Sequence, residues 1–359
     1  MINQIRRPLN HSELAILHHP DRAATWIVVA TAYLTTDSSP DPTTRVISKI
    51  NRRLEILSQA LPSVSSRLDG QFWIPAERPR AVIGTDDNKT PDYMLEPFNL
   101  TNEPPLRILV SPNGDWVSFF VHHAALDGAR LILAIKILLC DADPPPPNPD
   151  RSIKSQIPWA TLRRLLAPAD PIAPSLDKPL VDTFVSRQLP IVGLGITAKL
   201  PQLCLRAACE FSAIQGKPCK RIGLSLGIAP DDGPENRSTY RRIDARIGVD
   251  MTNAIETALS TPIEPWEIKH SSRFLKYLGP LANRASDTIL LTNLGRQSMP
   301  GITKLEGYPV ARGRSGVSFA AVRIIGGEST LSLRTRDINH QDASLILDKV
   351  ISLLEGSEY

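Results

Sequence analysis

The residues best suited to chemistry are two adjacent histidines, three spacers and an Asp-Gly pair: His122-His123-Ala124-Ala125-Leu126-Asp127-Gly128. They follow an apolar, strand-like run from Trp116 to Val121 and precede a very apolar helix expected from about Asp127 to Cys140. Successive side chains on a strand point to opposite faces, so the two imidazoles have different tasks. One faces the packed side and holds the loop, and the other faces an opening. A neutral imidazole in a cleft at pH 7 accepts a proton from a hydroxyl or an amine. Asp127 stands where a helix cap accepts backbone N–H bonds, and Gly128 lets other backbone approach closely.

Other chemistries fit this chain less well. The two strand histidines diverge, and no third His, Cys or Glu is spaced nearby to complete a metal set, so no metal is expected. There is no Gly-x-Ser-x-Gly elbow for an acyl-serine hydrolase. The four cysteines (Cys140, Cys204, Cys209, Cys219) form no Cys-x-x-Cys pair and are expected to be reduced and buried. A second pair, His18-His19, precedes Pro20 with no Asp-Gly behind it and reads as ordinary loop histidine.

A chain of 359 residues is long enough for two domain-sized cores. Lys and Arg number 41 against 37 for Asp and Glu, and the excess of +4 is too small and dispersed to imply nucleic acid. It is compatible with an anionic cosubstrate. With no basic-plus-apolar leader and no run long enough to span a bilayer, a soluble cytoplasmic monomer without a membrane partner is expected.

The elements that must position the motif are legible by period. Residues 23–34 read as a buried strand, and Asp41-Pro42 starts a helix carrying Val46, Ile50, Leu54, Leu57 and Leu61 at spacings of three and four. A short strand at Ala81–Ile83 and a hairpin about Asn113-Gly114 lead into the motif. Pro144-Pro145-Pro146-Pro147 makes a stiff, extended crossing, which divides the chain into residues 1–145, a linker at 146–175 and residues 176–359. Beyond it are expected a helix over 200–213 starting at Pro201 and strands over 221–228, 238–249 and 288–294. A turn at 231–234, a helix over 251–259, a hairpin about Gly326-Gly327 and a closing helix over 341–355 complete the second half.

The string His-His-x-x-x-Asp-Gly after a strand resembles the active-site motif of the condensation-domain and chloramphenicol-acetyltransferase-like superfamily. Its context is similar too: Pro97-Phe98-Asn99-Leu100, then Pro104-Pro105-Leu106-Arg107, a hairpin, and the motif. Pro62-Ser63-Val64-Ser65-Ser66-Arg67-Leu68 resembles a further segment of the family. Thr292-Asn293-Leu294-Gly295-Arg296 resembles the Ser/Thr-Asn-x-Gly segment of the polyketide-associated and alcohol-acetyltransferase branches, while the Asp-Phe-Gly-Trp segment of plant members is absent.

The resemblance implies an α+β fold of two chloramphenicol-acetyltransferase-like halves, each a mixed sheet with helices, forming a V with a central tunnel. It implies an acyltransferase of natural-product or lipid biosynthesis with His123 as general base, while His122, Asp127 and Gly128 are structural and the aspartate is ion-paired. Asn293, Gly295 and Arg296 become candidates for the substrate channel, although Asn293 serves equally well in a turn. Arg296, Arg312 and Arg314 either meet an anionic phosphopantetheine or are plain surface. No permanent cofactor is implied. The cosubstrate is an acyl-CoA or a phosphopantetheinyl thioester on a carrier protein, and the acceptor is a small alcohol or amine. Two alternatives stay open: a non-catalytic docking or scaffold module, and the same fold turned to cyclisation or dehydration of a tethered intermediate.

Overall fold

The computed structural model describes residues 6–19, 21–35, 40–144, 164–190, 196–228, 239–245, 248–260 and 284–356. The first half runs β1 (Arg7–Pro8), α1 (His11–Leu17), β2 (Ile27–Leu34), α2 (Pro42–Ala60), a 3-10 turn at Pro62–Ser65, β3 (Ser66–Asp69), β4 (Phe72–Pro75), β5 (Ala81–Ile83), α3 (Asp92–Leu95), β6 (Leu106–Val110), β7 (Trp116–His122) and α4 (Gly128–Leu139). The second runs β8 (Thr183–Gln188), α5 (Ile196–Ile214), β9 (Ile222–Ile228), β10 (Thr239–Ala245), α6 (Thr252–Ser260), β11 (Ile289–Gln297), β12 (Ile302–Tyr308), β13 (Val317–Ile324), β14 (Ser329–Thr335) and α7 (His340–Glu355).

Mixed sheets with helices make this an α+β fold. A five-stranded sheet has the order β12-β2-β7-β6-β5, a six-stranded sheet has the order β10-β9-β11-β13-β14-β8, and β1-β4-β3 form a small third sheet. β2 and β7 read as near-continuous apolar runs because both faces of their sheet are covered. On one face Val28, Ala30 and Val121 meet Leu54 and Leu57 of α2 and Ile135 and Leu138 of α4. On the other, Ile27, Val29 and Phe120 meet Met94, Leu109 and Tyr308.

Helix α2 begins as its sequence indicates, with Asp41 accepting from the Thr44 N–H at 3.0 Å and Pro42 in the first turn. Two of its cations then satisfy the far end of α4. Lys49 donates to the Leu139 carbonyl at 2.7 Å and Arg53 to that of Ile137 at 2.7 Å, where cations complement the helix dipole.

Three features depart from the sequence reading. β2 starts at Ile27 rather than near Ala23, because Trp26 has φ +57, a left-handed conformation that breaks the strand. Pro201 lies inside α5 rather than at its start; its missing N–H removes only the donor for the Thr197 carbonyl, close to the helix N-terminus. β12 belongs to the second half in sequence but pairs antiparallel with β2 in the sheet of the first half, with Glu306 opposite Thr31 and Tyr308 opposite Val29.

The proline run beyond Pro144 and the turn expected at 231–234 lie outside the described residues. Residues 164–175, counted with the linker above, pack on the second half. There Ala173 N–H donates to Ser212 Oγ at 3.0 Å, Ile172 N–H donates to Ser315 Oγ at 3.1 Å, and buried Arg164 pairs with Asp287 at 3.1 Å. All four cysteines are free, with Cys140 half-buried and the other three buried.

Candidate active site

β7 delivers its last residue, His122, to a tight turn that leads straight into α4. The Ala125 N–H donates to the His122 carbonyl at 2.8 Å, and Ser63 Oγ donates to the Ala125 carbonyl at 3.1 Å. The His122 ring is buried edge-on to Phe98, with centroids 6.2 Å apart, and its Nδ1 accepts from the Ala124 N–H at 3.2 Å. Burial, and then the neighbouring His123, push its pKa down to about 3. This imidazole is a neutral brace for the loop.

His123 points the other way, into a cavity of about 560 Å³. Its backbone N–H donates to the Trp26 carbonyl at 2.7 Å, and its ring stacks on Trp26 at 6.4 Å with 12° between planes. Its Nδ1 lies 3.2 Å from the Leu126 carbonyl, which can only accept, so Nδ1 carries the proton and the lone pair is on Nε2. Burial lowers its pKa below the usual histidine value; the Leu126 carbonyl opposes this, the Arg312 charge adds to it, and Asp127 opposes it. The ring therefore stands neutral at pH 7, with a proton-accepting nitrogen in a cavity wall.

Asp127 caps α4. One oxygen accepts from the Arg130 N–H at 2.9 Å, and the other takes Arg130 Nη1 at 2.9 Å in an ion pair almost wholly out of solvent. Gly128 admits the side chain of Leu294 rather than a second backbone: a Cβ at position 128 would stand 3.0 Å from Leu294 Cδ2. β11 thus closes down on the helix start, and Gly128, Asn293 and Gly295 all line the cavity with His123.

Asn293 both lines this space and makes a turn, its Oδ1 accepting from the Gly295 N–H at 2.9 Å where Gly295 has φ +69 and β11 shifts register. Arg296 is not brought to the site. It is exposed, paired in register with Arg323, and absent from the cavity wall. Arg314 is exposed as well, whereas Arg312 lines the cavity.

Several wall residues escaped the sequence reading because only tertiary packing brings them in. Tyr240, Tyr308 and Lys136 line the cavity, and Trp26 backs His123. His19, read as loop surface, instead packs 4.6 Å from the Trp26 ring, and its Nδ1 accepts from the Asp21 N–H at 3.1 Å. Burial, then the Arg312 charge, bring its pKa down to about 3. The one sequence signal at Trp26 is a large aromatic just ahead of a β-branched run.

Sequence comparison finds no matching family model and no matching curated relative. Comparison with solved structures is informative. The starter condensation domain of rhizomide synthetase RzmA, solved with C8-CoA and Leu-SNAC, matches with TM-score 0.61 and 10% identity over 98% of this chain and 94% of that one. The first condensation domain of the calcium-dependent antibiotic synthetase matches with TM-score 0.56 and 11% identity, covering 98% and 96%. Polyketide synthase associated protein 5 from Mycobacterium tuberculosis matches with TM-score 0.52 and 13% identity, covering 97% of each. These likenesses, covering 97–98% of this chain, show the α+β fold of condensation domains.

Proposed function

We propose that this protein transfers an acyl group from a thioester, carried by coenzyme A or a carrier-protein pantetheine, to a hydroxyl or amine. The observation that supports it best is the neutral His123 ring, its Nδ1 proton turned to the Leu126 carbonyl, lining a cavity in a condensation-domain fold. The acceptor O–H or N–H gives its proton to His123 Nε2 as the acceptor atom attacks the thioester carbonyl. The C–S bond then breaks and the departing thiolate takes that proton, which returns the imidazole to its starting state. No acyl-enzyme is needed. The start of α4, where Gly128 and Ala129 line the cavity, presents the positive end of a helix dipole to the oxyanion that forms in between. The aliphatic wall formed by Val28, Leu131, Leu290 and Leu305 suits an acyl chain.

Thiol release from a series of acyl-CoA thioesters, with alcohols and amines as acceptors, tests the proposal. His123→Ala should lose about a hundred- to ten-thousand-fold in rate while keeping the wild-type circular dichroism spectrum. Turnover that survives this substitution overturns the assignment.

A further inference from the structure

The charges in the cavity wall are one-sided. Its cations are Arg130, Lys136 and Arg312, and its one carboxylate among the described residues is Asp127. Arg130 already holds that carboxylate at 2.9 Å. Among the described residues no carboxylate pairs with Arg312 or Lys136. The acid bonded to the backbone of the next residue, Gly313, is otherwise engaged. Asp21 accepts from the Gly313 N–H at 2.7 Å and from Arg336 Nη1 at 3.1 Å, so it pins the backbone beside Arg312 and leaves that guanidinium to the cavity. The Arg312 guanidinium lies over the Tyr240 ring, 4.6 Å from its centroid, which holds a flexible side chain in one place.

The same anchor fixes where along the cavity this cation sits. Asp21 is hydrogen-bonded to His19, His19 packs on Trp26, and Trp26 stacks on His123. Arg312 therefore belongs to the end of the cavity that holds the base, in keeping with its charge acting on both His19 and His123. In a phosphopantetheine thioester the phosphate is separated from the carbonyl by the whole length of the arm. When the carbonyl is at His123, that phosphate is far from Arg312. A cation beside the base then faces the other reactant.

We infer that Arg312 is a specificity-determining residue that binds a carboxylate on the acceptor, so that the favoured acceptors are hydroxy acids or amino acids rather than neutral alcohols or amines. This rests on the acyl-transfer reading of the same cavity. A guanidinium suits the task because it stays charged and offers parallel N–H donors to the two oxygens of a carboxylate.

The test has a turnover arm and a binding arm. With octanoyl-CoA as donor, amino acids and 2-hydroxy acids are compared with their carboxamides. Wild type should prefer the acids by about tenfold or more, Arg312→Gln should lose that preference, and Arg312→Lys should keep part of it. The pattern should persist with octanoyl-N-acetylcysteamine, a donor that carries no phosphate. Equal use of acids and amides by wild type overturns the inference. So does an Arg312→Gln variant that raises KM for octanoyl-CoA alone, because the arginine then serves the phosphate.

The binding arm needs no chemistry. Calorimetry should show N-octanoylglycine, whose carboxylate comes from the acceptor, bound about tenfold or more tighter than N-octanoylglycinamide by wild type and by His123→Ala, but not by Arg312→Gln. If no acceptor releases thiol yet this binding preference holds, the transfer reading fails and the carboxylate site stands. If thiol is released without any preference between acid and amide, the transfer reading stands and the carboxylate site fails. Equal binding of N-octanoylglycine and N-octanoylglycinamide by wild type likewise overturns the carboxylate site.

Discussion

His122 and His123 are neighbours in the chain and opposites in their surroundings, and the strand geometry is the reason. His122 ends β7 with its ring against Phe98 and its Nδ1 bonded to the turn it braces, whereas His123 turns into the cavity against Trp26. Burying a neutral ring has a consequence for acid stability. His122 and His19 both have folded pKa values near 3, against an ordinary value of 6.5. Above pH 6.5 neither state binds the proton and these groups contribute nothing to the pH dependence. As pH falls from 6.5 toward 3 the unfolded chain takes up protons that the folded chain refuses, so stability drops by about 1.4 kcal/mol per pH unit for each ring. His122→Asn keeps an acceptor at the Nδ1 position without a titrating ring. Urea midpoints measured from pH 7 to pH 4 should fall less steeply in this variant than in wild type, and parallel curves would contradict the assignment.

At the scale of elements, the site is where β7, the turn and α4 meet, and the clamp is the Asp127–Arg130 pair. Both side chains are almost fully buried, so removing one partner strands the other's charge. Asp127→Ala should cost about 3–5 kcal/mol of folding free energy in denaturant unfolding. A loss under about 1 kcal/mol, the range of an exposed pair, would show that the clamp is unimportant. The motif, its hairpin and α4 were readable because local rules decide them: an apolar run, an Asn-Gly turn, and a cap followed by apolar residues on every side. β12 was not readable, because Ile302–Tyr308 contains Lys304 and Glu306 and so looks like a solvated loop. Glu306 is nevertheless buried, accepting from the hydroxyls of Tyr33 at 3.0 Å, Ser186 at 2.6 Å and Tyr308 at 2.9 Å, with Lys304 at 2.8 Å. Nothing local announces those partners. The same holds within the site. His123, Gly128, Asn293 and Gly295 fall in two recognisable strings, while Trp26, Tyr240 and Arg312 come together only when both sheets are formed.

For the whole molecule, β12 makes the two halves interdependent. It forms the edge of the five-stranded sheet against β2, and Met299, Ile302 and Leu305 belong to the same core as α2 and α4. Arg334, from the six-stranded sheet, adds a buried polar tie to the Ile27 carbonyl and, at 2.9 Å, to the Thr25 hydroxyl. A fragment of residues 1–145 would expose the β2 edge and leave its core short of these side chains. Expressed alone it should aggregate or lack a cooperative thermal transition, by gel filtration and circular dichroism. A monomeric, cooperatively folded fragment would contradict this dependence. The cavity containing His123 draws its wall from both halves, with Val28 and Leu131 from one and Thr292, Val310 and Arg312 from the other. A complete cavity wall around His123 therefore requires both halves of the chain.

The central claim is that an unprotonated His123 is the base that moves an acyl group. Its most direct test is the pH dependence of kcat/KM for thiol release, with a hydroxyl acceptor that does not itself titrate. Because the folded pKa of His123 lies below the ordinary histidine value, the rate should pass half its maximum below pH 6.5 and change little above about pH 7. It should fall only as the medium becomes more acid than that, and the whole profile should vanish in His123→Ala. A rate that keeps rising with pH above 7, or a profile that persists without the imidazole, would contradict the account.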